Sequence, residues 1–290
     1  MYYDYPLYRP PSEAYSLILQ VTLGCSHNAC TFCSMYKTKK YTQKSWAEIQ
    51  GLINEAALKY PRASRIFLAD GNVLAMPTDI LSDTLKMLYQ RFPGLDRISC
   101  YGGPHDALKK TPDELIDLKN NGLDLVYMGI ESGSDIILQK VKKGVSAQKM
   151  IEAGRKIMAS GLSLSATIIT GLGGRKLWEE HAIETARVVS AINPTYLGSL
   201  TLMLEEGTPI LRSIDSGELT LLTPAEILRE IKLMVERLEL ENCTYRSNHA
   251  SNYFHLAGVL NRDKASMLQL IEKYLEQPQL KAKHEDFRSL

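Results

Sequence analysis

Apolar runs of strand length alternate with amphipathic helical stretches along most of this chain, and that alternation constrains the fold more than any other feature. Strand-like runs fall at 16–21, 65–69, 97–101, 123–130, 162–170 and 195–204, with helical stretches between and after them. Several helix starts are written locally. Ser45-Trp46-Ala47-Glu48, Thr111-Pro112-Asp113-Glu114 and Thr223-Pro224-Ala225-Glu226 each carry a hydroxyl N-cap with a glutamate three residues on, a pairing that satisfies the orphan amides of a first turn. Strands joined by helices must run parallel, because a parallel pair needs a long crossover. Six such units close only part of a barrel. The expectation is therefore an α/β fold: a six-stranded parallel partial (β/α)6 TIM-like barrel over residues 1–210, and a helical C-terminal extension over 211–290 lying across the barrel mouth. A doubly wound open sheet is the alternative. In either, chemistry belongs at the carboxyl ends of the strands, where Cys25, Asp70, Tyr101, Glu131 and Gly171 fall.

Composition narrows the partners. Basic and acidic residues number 34 and 33, a net charge of +1, so no cationic excess points to nucleic acid and nucleic acid is not an expected partner. No apolar run approaches the roughly 18–20 residues of a membrane span, and the Tyr- and Pro-rich start does not read as a signal peptide. A cytoplasmic protein without a membrane partner is expected. Arg9–Glu13 reads as a polyproline lead-in, with packing beside the cysteine loop as the alternative; residues 281–290 read as a frayed charged tail.

Five cysteines, an odd number, argue against a complete disulfide framework, and three of them lie within nine residues. The segment Gly24-Cys25-Ser26-His27-Asn28-Ala29-Cys30-Thr31-Phe32-Cys33 has the spacing C-x4-C-x2-C and follows the first strand. Such a loop can wrap one iron–sulfur cubane with three thiolates, where a full set would be four. The fourth iron is then open to an outside ligand. A zinc site of the three cysteines plus His27 is the alternative, although zinc favours paired C-x2-C donors in a closed shell.

At these residues the sequence resembles the radical S-adenosylmethionine (SAM) superfamily, whose members carry C-x3-C-x2-C after strand one with an aromatic residue before the last cysteine, here Phe32. The spacing here is one residue longer. The resemblance covers roughly residues 1–210 and is nearest the branch of oxygen-independent coproporphyrinogen oxidase and the Elongator catalytic subunit. It implies a [4Fe–4S] cluster on Cys25, Cys30 and Cys33, with SAM on its open iron. It further implies that Asp70, Gly71 and Asn72 stand where the family binds the methionine end of SAM, and that Glu131 and Ser132, in Gly129-Ile130-Glu131-Ser132-Gly133, meet its ribose or methionine part. Lys143 falls at a cation for the SAM carboxylate, Thr167 at a ribose ligand, Gly171 in a turn beside the cofactor, and Leu202 and Met203 beside adenine. An electron from a flavodoxin or ferredoxin would cleave SAM to a 5′-deoxyadenosyl radical.

The segment Cys243–Tyr253 is dense in hydrogen-bonding groups and lies between two helical stretches. Arg246 is a candidate grip for a carboxylate or phosphate. Asn248, His249 and Asn252 are candidates to orient polar groups, and Cys243 to return a hydrogen atom to a product radical; a polar loop without ligand is the alternative. The functional expectation is hydrogen abstraction from a small-molecule substrate. The alternatives are a radical SAM modifier of tRNA or protein, and a zinc-stabilised or electron-carrying non-enzyme. Methylthiotransfer is disfavoured, because it needs a second cluster and too few cysteines remain.

Overall fold

The computed structural model describes residues 2–276 and Arg288. All six expected strands form: β1 (Leu17–Gln20), β2 (Arg65–Ala69), β3 (Arg97–Tyr101), β4 (Leu123–Glu131), β5 (Ser163–Thr170) and β6 (Tyr196–Thr201). Two more follow, β7 (Cys243–Arg246) and β8 (Ala257–Leu260), making eight main strands among the described residues. All three hydroxyl–glutamate helix starts are realised as reciprocal capping boxes, on the helices Trp46–Lys59, Pro112–Asn120 and Pro224–Arg237. Two compact units form, and neither is a continuous stretch of chain.

The first unit comprises residues 1–28, 35–128 and 156–164. Within it β1, β2, β3 and β4 pair in that order, all parallel. Ile18, Phe67, Ala69, Leu125 and Tyr127 form an apolar group, joined by Tyr101 and by Tyr3 and Leu7 of the N-terminal segment. That segment is not a loose lead-in. Pro11–Glu13 is a 3-10 turn, and Glu13, fully buried, accepts from Arg97 Nη2 at 2.7 Å and the Tyr127 hydroxyl at 2.6 Å. The Gln20 amide exchanges two 2.9 Å bonds with the Asp4 backbone. A carboxylate this deep is tolerated only because each neighbour donates to it; the sequence pattern alone marked it as exposed lead-in.

The second unit comprises residues 29–34, 129–155 and 165–290. β5 and β6 pair in parallel from Ser165–Tyr196 to Thr170–Thr201, β7 adds to β6 in parallel, and β8 closes antiparallel on β7. The expectation of a purely helical extension is corrected here. The Pro224–Arg237 helix ends, and the chain returns as an edge hairpin-like pair. Each of these strands is four residues long, too short for a periodicity signal. What makes them strands is the open edge of β6, which leaves unpaired backbone groups for β7 to satisfy. Helices Gly174–Ile192 and Pro224–Arg237 pack on one another. The expected frayed tail at 281–290 lies outside the described residues except for Arg288. No described helix is long and apolar enough to cross a membrane.

Candidate functional site

In the first unit the chain leaves β1, makes a two-residue antiparallel pairing of Thr22–Leu23 with Thr42–Gln43, and carries Cys25 between them. The turn after β2 knits onto this loop. Fully buried Asp70 accepts from Lys39 Nζ at 2.9 Å, and the same ammonium donates to the carbonyls of Asp4 and Pro6. Burial raises the Asp70 carboxyl above its usual range, and Lys39 opposes that rise. Asn72 accepts from the Gly103 amide at 2.9 Å and donates to Ser26 Oγ at 2.5 Å and to Asp106. A Cβ on Gly71 would lie 2.7 Å from the Tyr36 ring and 2.8 Å from the Gly24 carbonyl. The Asp70 carboxylate and the Asn72 amide bond within the protein, and the missing Cβ of Gly71 admits Tyr36 and the loop backbone. Lys39 and Asp106 were missed by sequence reasoning. The one local signal for Asp106 was Pro104 opening a short helix directly after β3.

Cys30, Phe32 and Cys33 lie in the second unit, whose backbone holds the loop by two bonds, Thr31 N–H to the Val141 carbonyl and Ile210 N–H to the Thr31 carbonyl. Phe32 packs against Ile137, Val141, Leu172, Leu202 and Ile210. After β4, Glu131 takes a left-handed backbone (φ 64°) and pairs with Lys143 at 2.9 Å, each about nine-tenths buried. Gly129 makes room for this pair, since a Cβ there would overlap Glu131 Oε1. Ser132 turns the other way. Fully buried, it bonds His181 Nδ1 at 2.9 Å.

His181 is held in one tautomer: Nε2–H donates to the Ile169 carbonyl at 2.9 Å, so Nδ1 accepts from Ser132 and from Thr185. Burial pulls it down to about 4, and it is neutral near pH 7. Glu230, 3.9 Å from that ring, accepts from the Gly171 amide at 2.7 Å through Oε1, while its buried Oε2 finds no partner among the described residues. Burial pushes its carboxyl up to about 8, so it carries a proton at neutral pH. Gly171 itself sits at φ 81°, the left-handed region that glycine enters without steric cost. Neither His181 nor Glu230 announced itself in the sequence, because each lies within an ordinary amphipathic helix.

Thr167, Gly198 and Arg246 are register partners across β5, β6 and β7 and so share one face of the sheet. A Cβ on Gly198 would meet only a carbonyl at 3.8 Å, so the row has open space at its centre. Arg246 is exposed and donates to its neighbour's carbonyl. Cys243, three residues earlier, points to the opposite face; it is fully buried and desolvation pushes its thiol up to about 12. That placement makes it a core residue. His249 Nδ1 bonds Ser251 Oγ at 2.9 Å, and buried Asn252 ties the segment to β6 through the Ser199 carbonyl and the Thr201 hydroxyl. Gly171, Leu202, Met203 and Tyr253 line a cavity of about 150 Å³ at the end of β6.

Residues 19–186, more than half of the chain, match the Radical SAM superfamily. The chain belongs to the radical SAM superfamily. Its fold class agrees: the structure resembles methylornithine synthase (17% identity, TM-score 0.54, 93% of this chain and 83% of that one). It also resembles the coproporphyrinogen III oxidase of Escherichia coli (18%, TM-score 0.58, 77% and 52%). Among curated proteins it is 26% identical over 254 residues to a tRNA-2-methylthio-N(6)-dimethylallyladenosine synthase of Leifsonia xyli subsp. xyli, covering 79% of this chain and 43% of that protein. The radical SAM chain thus spans about half the length, or less, of the curated relative it matches.

Membership makes this radical SAM protein an enzyme whose cofactors are a [4Fe–4S] cluster and SAM. Cys25, Cys30 and Cys33 are partly exposed, unlike buried Cys100 and Cys243, and a cubane takes one thiolate per iron. The Glu131–Lys143 pair over Gly129 offers one group of each sign, matched to the ammonium and carboxylate of a bound amino acid.

Proposed function

We propose that this radical SAM enzyme modifies a base in tRNA, with the Gly198–Arg246 end of the Thr167–Gly198–Arg246 row as the seat of the substrate. The row carries the reading: a hydroxyl and an exposed guanidinium flank an open position, and a guanidinium binds phosphate in a two-pronged fashion. The name of the Leifsonia relative favours tRNA, against the expectation drawn from a net charge of +1. When bound on Cys25, Cys30 and Cys33, the cluster and SAM supply one-electron cleavage to a 5′-deoxyadenosyl radical, the electron coming from a flavodoxin or ferredoxin. The chain's own work is placement. Glu131 and Lys143 grip the charged end of SAM, Thr167 donates to or accepts from its ribose, and Met203 and Leu202 flank its adenine. Arg246 holds the substrate anion, with exposed Asn248 and half-buried His249 close to it in sequence. Phe32 and its apolar neighbours keep water from the radical. A small metabolite carrying a carboxylate is the second reading, favoured by the same neutral composition.

The test is anaerobic reconstitution followed by dithionite and SAM, with 5′-deoxyadenosine and methionine quantified. Wild type should form both, and Cys30→Ala neither. Adding bulk tRNA should raise 5′-deoxyadenosine formation, and Arg246→Ala should lose that increase while keeping the substrate-free rate. Equal loss in both would remove Arg246 from substrate binding, and no response to tRNA would favour the metabolite.

A further inference from the structure

At the amino-terminal ends of β1 and β2, the opposite end of these strands from the Cys25 loop, the first unit holds a cavity of about 770 Å³. Four tyrosines line it, Tyr3, Tyr5, Tyr15 and Tyr60, together with the cations Arg9, Lys59 and Arg62; among the described residues no acidic side chain does. Its rings are placed. Tyr3 is anchored by its hydroxyl on the Ile18 carbonyl at 3.0 Å and meets Tyr5 edge-on at 6.3 Å between centroids. Lys59 sits 5.4 Å from the centre of the Tyr60 ring, and the Ala63 amide closes the turn onto the Tyr60 carbonyl. The Tyr3 phenol is raised by burial and by Tyr60 and Tyr5 and lowered by Arg9, so these four side chains converge on one space. Tyr15 is 99% and Tyr5 73% exposed, so the described chain leaves large flat rings facing water.

Rings supply a stacking surface for any base, and guanidinium and ammonium groups without a competing carboxylate supply the charge for a phosphate. The volume falls within the range of small-molecule sites. We propose that this cavity binds a pyrimidine or purine nucleotide, its phosphate on Arg9, Lys59 and Arg62 and its base on the tyrosines, as a free mononucleotide or as one residue of an RNA strand. This site is separate from the cofactor residues and stands whether or not tRNA is the substrate.

The test is equilibrium dialysis of the reconstituted holoenzyme with labelled UMP, a uridine hexanucleotide and inorganic phosphate, with S-adenosylhomocysteine at saturation to fill the cofactor site. Saturable binding of UMP or the hexanucleotide, weakened about tenfold or more by both Arg62→Ala and Tyr15→Ala, supports the proposal. These two residues are exposed, so circular dichroism should report an intact fold. A hexanucleotide preference assigns the site to RNA and equal affinity to the free nucleotide. Failure of both probes to bind at millimolar concentration overturns the proposal. So does binding untouched by the substitutions, or phosphate binding as tightly as UMP.

Discussion

Replacing Glu230 by glutamine should change how stability depends on pH, and the structure gives the sign and the size. The carboxyl is fully buried, bonded to the Gly171 amide through one oxygen and, among the described residues, to nothing through the other. Burial moves it from 4.5 to about 8, so the folded protein retains a proton that the unfolded chain releases across that interval. Stability must then fall as pH rises from the lower value and level off above the upper one. At about 1.4 kcal/mol per pH unit, the interval from about pH 5.5 to 8 corresponds to a loss on the order of 3 kcal/mol. Glutamine keeps an oxygen for Gly171 and does not titrate. His181 contributes nothing here, because it titrates near 4, below the window. Urea unfolding of wild type and Glu230→Gln at about pH 5.5 and 8.5 tests this. The variant should gain on wild type by on the order of 3 kcal/mol between the two conditions. A difference that stays constant with pH would refute a protonated Glu230.

Glu13→Ala should cost about 3 kcal/mol or more in urea unfolding, because it strips buried partners from Arg97 and Tyr127; a loss under about 1 kcal/mol would mean that water replaces the carboxylate. Gly129→Ala should push Glu131 off Lys143 and weaken SAM binding in equilibrium dialysis by about tenfold. Unchanged affinity would exclude this pair from the cofactor seat.

The site was legible in proportion to how local its signals are. The C-x4-C-x2-C spacing and the glycine turns after β2, β4 and β5 are written in adjacent residues, and the loops fall where those signals place them. Short polar residues beside a glycine look alike whether they face cofactor or protein. The hydrogen-bond partners of Asp70, Asn72 and Ser132, which are Lys39, Asp106 and His181, stand 31, 34 and 49 residues away in sequence, and no pattern along one chain encodes such a pairing.

By itself, the sequence determined the order of six strands and the three capped helix starts, because hydrophobic period and N-cap chemistry act within a few residues. Only the tertiary structure decided that β7 and β8 would form on the edge of β6, that Glu13 and Glu230 would be buried, and that Arg246 would stand in line with Thr167. Those outcomes depend on which distant groups meet and leave backbone or charge in need of a partner once water is gone.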